Sequence, residues 1–317
     1  MPITEEQLEY LVSHAALAPS SHNTQPWRFE ITDGELSLFA DRERALPEND
    51  PLDRELTISC GCALMNLRVA AAQQGIAVAL DPEPASGDDD LLARVSFDNR
   101  EAVSTDEAEL FKSVAERRTY RKPFASKEAS TAILDTLTAA ALEEGARLSI
   151  VESQEDRQKV AELVAEGDRM QWSNPAWRGE LAGWMHSRRC GDGLTVPGVI
   201  APFAKFFIRA FDMGKGVAAK DKKLAEEAPV LAVLGSTDDN PADWLAVGQA
   251  LEKLLLAAHL QGLQASYLNQ PIQVASLRTE LQSLLDLQVF PQILLRIGFP
   301  VNEIDAAPRR PLNEVIG

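Results

Sequence analysis

CGCALMNLRVAAAQQGI, Cys60–Ile76, and VGQALEKLLLAAHLQGL, Val247–Leu263, align without a gap. Gly61/Gly248, Ala63/Ala250, Leu64/Leu251, Leu67/Leu254, Ala70/Ala257, Ala71/Ala258, Gln74/Gln261 and Gly75/Gly262 are identical pairs. Both stretches read as long helices closed by a glycine, which takes the left-handed cap conformation without a Cβ penalty. Helix–glycine–strand composition alone generates part of such a match. The flanks agree as well, however: an acidic amphipathic helix precedes each unit and a short strand follows it. We therefore read the chain as a fused duplication. Small residues down one face of each helix would let the two pack closely across a pseudo-twofold axis.

Working outward, Thr4 and Gln7 form a capping box before Leu8, Leu11, Val12 and Ala15, which recur at helical spacing until Pro19. WRFEI and LSLFA flank TDGE, whose Asp33-Gly34 favours a tight hairpin turn. The first long helix is expected from about Asp53 to Gln74, followed by the strands IAVAL and ARVSF. Helices are then expected at about 105–116 and 127–143, then the strand RLSIVES. Residues 153–220, with Trp172, Trp177 and Trp184 among GDG, PG and MGKG, read as helical excursions outside the main sheet. APVLAVLGS is a buried strand, Asn240-Pro241 opens the second long helix, and a helix at about 272–285 precedes the strand QILLRIGFP. The domain reading is a first half at 1–103 and a second at 104–317, the latter carrying a lid-like insertion at about 153–220.

The chain has 317 residues, 45% hydrophobic and 25% charged, and a formal net charge of -17. That charge argues against a general partnership with nucleic acid or an anionic membrane, which needs a basic face. MPITEEQLEYLVSH is acidic where a signal peptide needs a basic start and an apolar run. Cys60, Cys62 and Cys190 cannot form a disulfide framework, and cytoplasm is the expectation. Cys60 and Cys62 are read as small buried residues rather than metal ligands. His14, His22, His186 and His259 lack ligand spacing and are read as structural or exposed. No G-x-G-x-x-G follows a strand, GDG and MGKG lack the P-loop pattern, and no G-x-S-x-G elbow is present.

Two polar motifs stand out. APSSHNTQPWRFEI, Ala18–Ile31, crowds small hydrogen-bonding side chains between a helix and a strand. ERRTYRKPF places Arg117, Arg118, Arg121 and Lys122 within six residues of an acidic chain. A solvated helix end would explain a bare charge run, since cations favour a helix C-terminus. Mostly arginine, an added Thr119 hydroxyl and the helix-stopping KPF suit bidentate contacts to phosphate instead.

ERRTYRKPF resembles the R-R-S-x-R-x-F signature that opens FMN-dependent nitroreductases, and APSSHNTQPWRF resembles their P-S-x-x-N-x-Q-P-W segment. RIGFP followed by PRR resembles the strand and basic tail that close that fold. In order and spacing the chain is most similar to the Acg-type branch, in which two nitroreductase-like halves are fused. The resemblance implies an α+β nitroreductase-like fold, with two half-repeats forming a pseudo-dimer and mixed or antiparallel sheets flanked by helices. Family members are typically dimers with flavin sites at the subunit interface, so the internal pseudo-dimer is compatible with a monomeric chain. Carried over, Arg117, Arg118, Thr119 and Arg121 would hold the phosphate and ribityl end of FMN. Pro19, Ser20, Ser21 and Asn23 would approach the ring from the other half, with Arg309 and Arg310 near the phosphate. Asn269 and Gln270 fall where the family offers backbone amides to flavin N5, although the family's glycine is absent there.

The first half begins PITEEQLEYLVSH, with nothing like R-R-x-x-R, and the second has GARLSIVES where a P-S-x-x-N loop should be. One composite flavin site per chain is therefore expected. By resemblance the function is that of an oxidoreductase taking hydride from NADPH or NADH and reducing a small nitro or quinone electrophile. The flavin carries the chemistry, with no catalytic side chain and no metal. The alternative is a flavin-binding or sequestering protein with an occluded FMN and little turnover, should residues 153–220 cover the ring.

Overall fold

The computed structural model describes residues 3–82, 87–98, 103–198 and 200–317. Helix α1 (Glu5–Ala15) starts at the Thr4–Gln7 capping box and buries Leu8, Leu11, Val12 and Ala15. Strands β1 (Trp27–Thr32) and β2 (Glu35–Ala40) form a hairpin in register Trp27 to Ala40. Asp33 (φ 52) and Gly34 (φ 83) both take the left-handed conformation that a two-residue hairpin loop requires. Helix α2 (Arg54–Gln73) follows, then β3 (Ala77–Asp81) and β4 (Leu91–Asp98). These strands make a four-stranded antiparallel sheet in the order β1-β2-β4-β3. On β4, Ala93 and Val95 are buried while Arg94 and Ser96 are exposed, so this sheet packs its core on one face.

The second round runs α3 (Thr105–Val114), α4 (Thr131–Glu143) and β5 (Arg147–Ile150). Then come α5 (Gln154–Ser173), α6 (Pro175–Gly183), β6 (Met185–His186), β7 (Leu194–Thr195), α7 (Ala201–Ala210) and α8 (Gly214–Glu226). The chain returns through β8 (Val230–Ser236), α9 (Pro241–Leu260), β9 (Gln264–Tyr267), α10 (Gln270–Gln273), α11 (Ala275–Leu284) and β10 (Phe290–Gly298). The order β5-β8-β10-β9 is again antiparallel throughout. Here both faces are covered. Ala232 and Leu234 join the core shared with α2 and α9, while Leu231 and Val233 face a second core containing Val160, Leu163 and Val164 of α5. Of residues 153–220, helix α5 lies outside this sheet and roofs its outer face. By contrast α7 buries none of its residues and leaves Phe203, Phe206 and Phe207 exposed.

Helices α2 and α9 cross at the centre, and nearly every residue of α2 is buried. The crossing is set by two glycines of the repeated stretch. A Cβ on Gly61 would lie 2.2 Å from the Leu245 carbonyl oxygen and 2.8 Å from Gly248 Cα. A Cβ on Gly248 would lie 2.1 Å from the Ile58 carbonyl oxygen. Backbone meets backbone there, and any other residue would force the helices apart.

One segment crosses between the rounds, and another lies along the sheet of its own round. The tail returns to the first sheet, with Phe29 N donating to Val315 O at 2.8 Å and Gly317 N to Phe29 O at 2.8 Å. Residues after α3 extend along the second sheet, with Tyr120 N donating to Ala265 O at 2.8 Å. Among the described residues no helix is long and apolar enough to cross a membrane.

Candidate functional site

A cavity of about 860 Å³ opens where the loop after α1, the N-terminus of α2, the basic run, α10 and the tail converge. Residues 172–224 close its remaining side, through Trp172, Trp177, Arg188, Thr195, Lys220 and Leu224.

The loop Pro19–Gln25 carries unusual backbone: His22, Asn23 and Gln25 all have positive φ, at 49°, 57° and 54°. Each such residue costs on the order of 1–3 kcal/mol and persists only where its surroundings over-determine it. The polar side chains supply that support. Gln25 N donates to Ser20 Oγ at 2.9 Å, and Gln25 Nε2 to Gly191 O at 2.9 Å. Asn23 Nδ2 donates to Pro308 O at 3.1 Å, while Asn23 Oδ1 accepts from Arg309 Nη1 at 3.1 Å. Pro19, Ser20, Ser21, His22 and Asn23 are thereby presented to the cavity. His22 is desolvated and lies beside Arg121, which pushes its pKa down to about 4 and keeps it neutral.

The basic run divides its labour. After α3 the chain is extended and alternate side chains face opposite ways. Tyr120 is buried, its hydroxyl accepting from Val301 N at 3.1 Å, while Thr119 and Arg121 line the cavity. Arg117 turns inward, with Nε donating to Glu252 Oε1 at 3.1 Å in an almost fully buried ion pair. Arg118 is anchored by its backbone N–H to Gln264 Oε1 at 2.9 Å, and among the described residues its guanidinium donates only to the carbonyl oxygens of Ala115 and Arg117. Arg121 has no hydrogen-bond or carboxylate partner among the described residues. It is open to the cavity yet walled by protein, and desolvation lowers its pKa.

The expected residues Pro19, Ser20, Ser21, Asn23, Arg117, Arg118, Thr119, Arg121, Asn269, Gln270 and Arg309 all reach the cavity lining. Arg310 does not. Its Nη1 lies 3.5 Å from Asp41 Oδ2 and donates to Gln25 O at 3.1 Å, bracing the loop from behind. Arg309 Nη2 donates to the carbonyls of Leu17 and Ala18 at 2.8 and 3.1 Å. Burial, with Arg117 nearby, lowers its pKa to about 10.

Several lining residues lie outside both sequence motifs. Glu55, in the first turn of α2, accepts from Ser21 Oγ, Asn269 Nδ2 (3.1 Å) and Gln273 Nε2 (3.0 Å). One carboxylate thus ties the loop of the first round to α10 of the second. Nothing in its local sequence sets it apart from other acids that favour a helix N-terminus. Tyr267 and Cys62 also line the cavity, and burial raises both pKa values, so neither phenolate nor thiolate forms at neutral pH. His22, read from sequence as structural or exposed, faces the cavity. Asp168 and Asp221 arrive from α5 and α8. The one local signal was Gly167 inside a helix, a mark of close backbone approach.

A site for a phosphate-bearing flavin needs cations without counter-charges, a hydroxyl donor and room for a flat ring. Arg118 and Arg121 with Thr119 meet the first two needs, because among the described residues neither guanidinium has a carboxylate partner, whereas Arg117 of the same run is taken up by Glu252. The cavity's size and mixed lining meet the third. The residues fit the group.

Comparison with known proteins bears on the same point. Residues 1–47 match the model of the Nitroreductase family. A Mycobacterium tuberculosis protein named "Putative NAD(P)H nitroreductase Rv3131" is 30% identical over 320 residues, covering 98% of this chain and 91% of the relative. The chain belongs to the nitroreductase family. Within it, the Acg-type relatives match over nearly their whole length: "Putative NAD(P)H nitroreductase acg", also from Mycobacterium tuberculosis, is 26% identical over 321 residues, 99% of this chain and 96% of the relative. Among solved structures, an iodotyrosine deiodinase bound to FMN and 3-iodo-L-tyrosine aligns with a TM-score of 0.43 at 18% identity, over 64% of this chain and 95% of that one. Among its described residues this nitroreductase-family chain is an α+β protein of two four-stranded antiparallel sheets and a short parallel pair, β6-β7, flanked by helices.

Proposed function

We propose that the cavity binds one FMN and that the chain is an NAD(P)H-dependent flavin oxidoreductase acting on a small electrophile such as a nitro compound or quinone. The observation that carries this reading is the pair Arg118 and Arg121, without carboxylate partners, beside Thr119 on the cavity wall. These groups would anchor the phosphate, since guanidinium forks bind phosphate oxygens bidentately. Pro19, Ser20, Ser21 and Asn23 would bound the ring, with Asn269 and Gln270 at its reacting edge. When bound, FMN supplies the hydride exchange between donor and acceptor. The residues bind and orient it, neutral His22 adds no charge beside Arg121, and the walls limit water.

The reading includes one composite site per chain, with halves at 1–103 and 104–317, a chain able to act as a monomer, and a cytoplasmic location without nucleic-acid or membrane partners. The boundary at 103/104 adjoins residues 99–102, which lie outside the described residues.

Sequestration is the second reading, and a specific observation favours it. Residues 153–220 are fastened across the cavity: Trp177 Nε1 donates to Asn49 Oδ1 at 3.0 Å, Gly193 N donates to Asn23 O at 3.1 Å, and Arg44 pairs with Asp192. A cover so fastened would bar a nicotinamide from the ring unless it opens. Anaerobic addition of NADPH or NADH to the flavin-loaded protein separates the two. Bleaching of the flavin band is expected for the oxidoreductase. A yellow protein indifferent to both donors supports sequestration, and failure to take up FMN overturns both readings.

A further inference from the structure

The cavity's acidic corner is unlike the rest of it. Asp168 of α5 and Asp221 of α8 both line the cavity, and one amide bridges them: Gln270 Nε2 donates to Asp168 Oδ1 at 3.2 Å and to Asp221 Oδ2 at 3.0 Å. Among the described residues neither carboxyl has an ion-pair partner. Asp168 is 2% exposed and its Oδ2 has no hydrogen-bond partner. The approach is enforced by the neighbouring Gly167, where a Cβ would lie 2.7 Å from Gln270 Cβ and 2.8 Å from its carbonyl carbon. An unpaired buried carboxylate is costly, so a proton on one of the two acids is the stable arrangement.

We propose that Asp168, coupled through Gln270 to Asp221, is the acid that protonates the acceptor as it is reduced in this cavity. The inference rests on the oxidoreductase reading above. A hydride delivers two electrons and one proton, and turning a quinone into a hydroquinone needs one proton more. NAD(P)H, oxidised to NAD(P)+, is the source of the hydride. The Asp168 O–H bond breaks as the second product O–H bond forms, and the carboxylate left behind regains its proton from water. Gln270 is next to Asn269, at the wall assigned to the ring's reacting edge, which puts the acid where an acceptor would lie.

The charges around the acid pull in both directions. Burial and the Asp221 carboxylate raise the Asp168 pKa to about 7, against the Gln270 hydrogen bond and Arg169 of its own helix. Asp221 is itself raised by burial, against Lys220, Gln270 and Arg296 of β10. A general acid with its pKa near the working pH donates best. The plainer role for this cluster is a staple joining α5 and α8 to α10, and the test must exclude it.

Asp168→Asn keeps the shape and an acceptor for Gln270, so a staple would survive it. In the FMN-loaded protein, carbon NMR of labelled aspartate should show a carboxyl titrating near 7 that disappears in this variant. Stopped-flow bleaching by NADPH should stay within about twofold of wild type. Re-oxidation of the bleached protein by a quinone should slow by about 100-fold or more. In wild type that step should be flat in acid and fall above about pH 7, with the break moving to lower pH in Asp221→Asn. The proposal is overturned if Asp168→Asn re-oxidises at the wild-type rate with an unchanged pH profile, or if no carboxyl signal titrating above about pH 6 is lost in Asp168→Asn, Asp50 being a second aspartate raised to about 7. A wild type that NADPH does not bleach fails the oxidoreductase reading and takes this one with it. Normal bleaching with unaffected re-oxidation fails this one alone.

Discussion

Arg117 and Arg121 stand four residues apart in one basic run and do opposite work. Arg117 neutralises Glu252 in the interior, so Arg117→Ala strands a buried carboxylate and should cost about 3–5 kcal/mol by chemical denaturation. Arg118 and Arg121 hold no carboxylate among the described residues. The double variant Arg118→Ala, Arg121→Ala should leave the unfolding midpoint nearly unchanged while abolishing FMN retention, and unchanged affinity would remove the phosphate assignment. Burial also raises Glu252 to about 7, against the opposing charge of Arg117, and Asp168 reaches about 7 too. Their ordinary values are 4.5 and 3.8, so between about pH 4 and 7 the folded chain keeps protons that the unfolded chain releases. His22, lowered from 6.5 to about 4, works the other way, but Glu252 and Asp168, joined by Asp50 at about 7, outweigh it. Stability of the flavin-free protein should therefore fall as pH rises through that window and level off above it, with a smaller slope in Glu252→Gln. Thermal melts across pH check the sign, and a rise over the same window would contradict these environments. At this scale the arginine run and the Pro-Ser-Ser-His-Asn loop were legible because each is local in sequence. The diversion of Arg117 was not, since Glu252 lies 135 residues away. Arg310, Glu55 and Asp168 likewise owe their roles to long-range packing that no spacing rule records.

The repeated stretch gives α2 and α9 their closest contact. Gly61→Ala and Gly248→Ala each place a methyl against backbone, and each should cost about 3 kcal/mol in equilibrium denaturation. Comparable losses from both sites are expected, and tolerance of either would contradict the crossing. Punctuation in the sequence was faithful here. Thr4 with Gln7, Asp33-Gly34, Gly75, Asn240-Pro241 and Gly262 mark the element ends where the structure has them, with Gly75 at φ 72 and Gly262 at φ 78. Tertiary context moved other limits. The helix expected from about 127 begins at Thr131, where Ser130 caps it. The one expected at 272–285 is divided at Val274 into α10 and α11, which aims Asn269 and Gln270 at the cavity. The apolar positions of α5 acquire their meaning from the outer face of the second sheet, which the local sequence of 153–220 does not record.

Over the whole molecule, the tail after β10 crosses back to complete the edge of the first sheet, while residues 119–121 run beside β9 of their own round. The packing of the two rounds brings a loop from the first to a basic run at the start of the second. The reciprocal arrangement lacks both motifs, which is why one flavin site per chain is proposed. Isothermal titration of FMN into the flavin-free chain, with chain concentration fixed by amino-acid analysis, reads this directly. The account predicts one FMN per chain, lost when Arg118 and Arg121 are both replaced by alanine. Two per chain, or one that survives the double replacement, would contradict it.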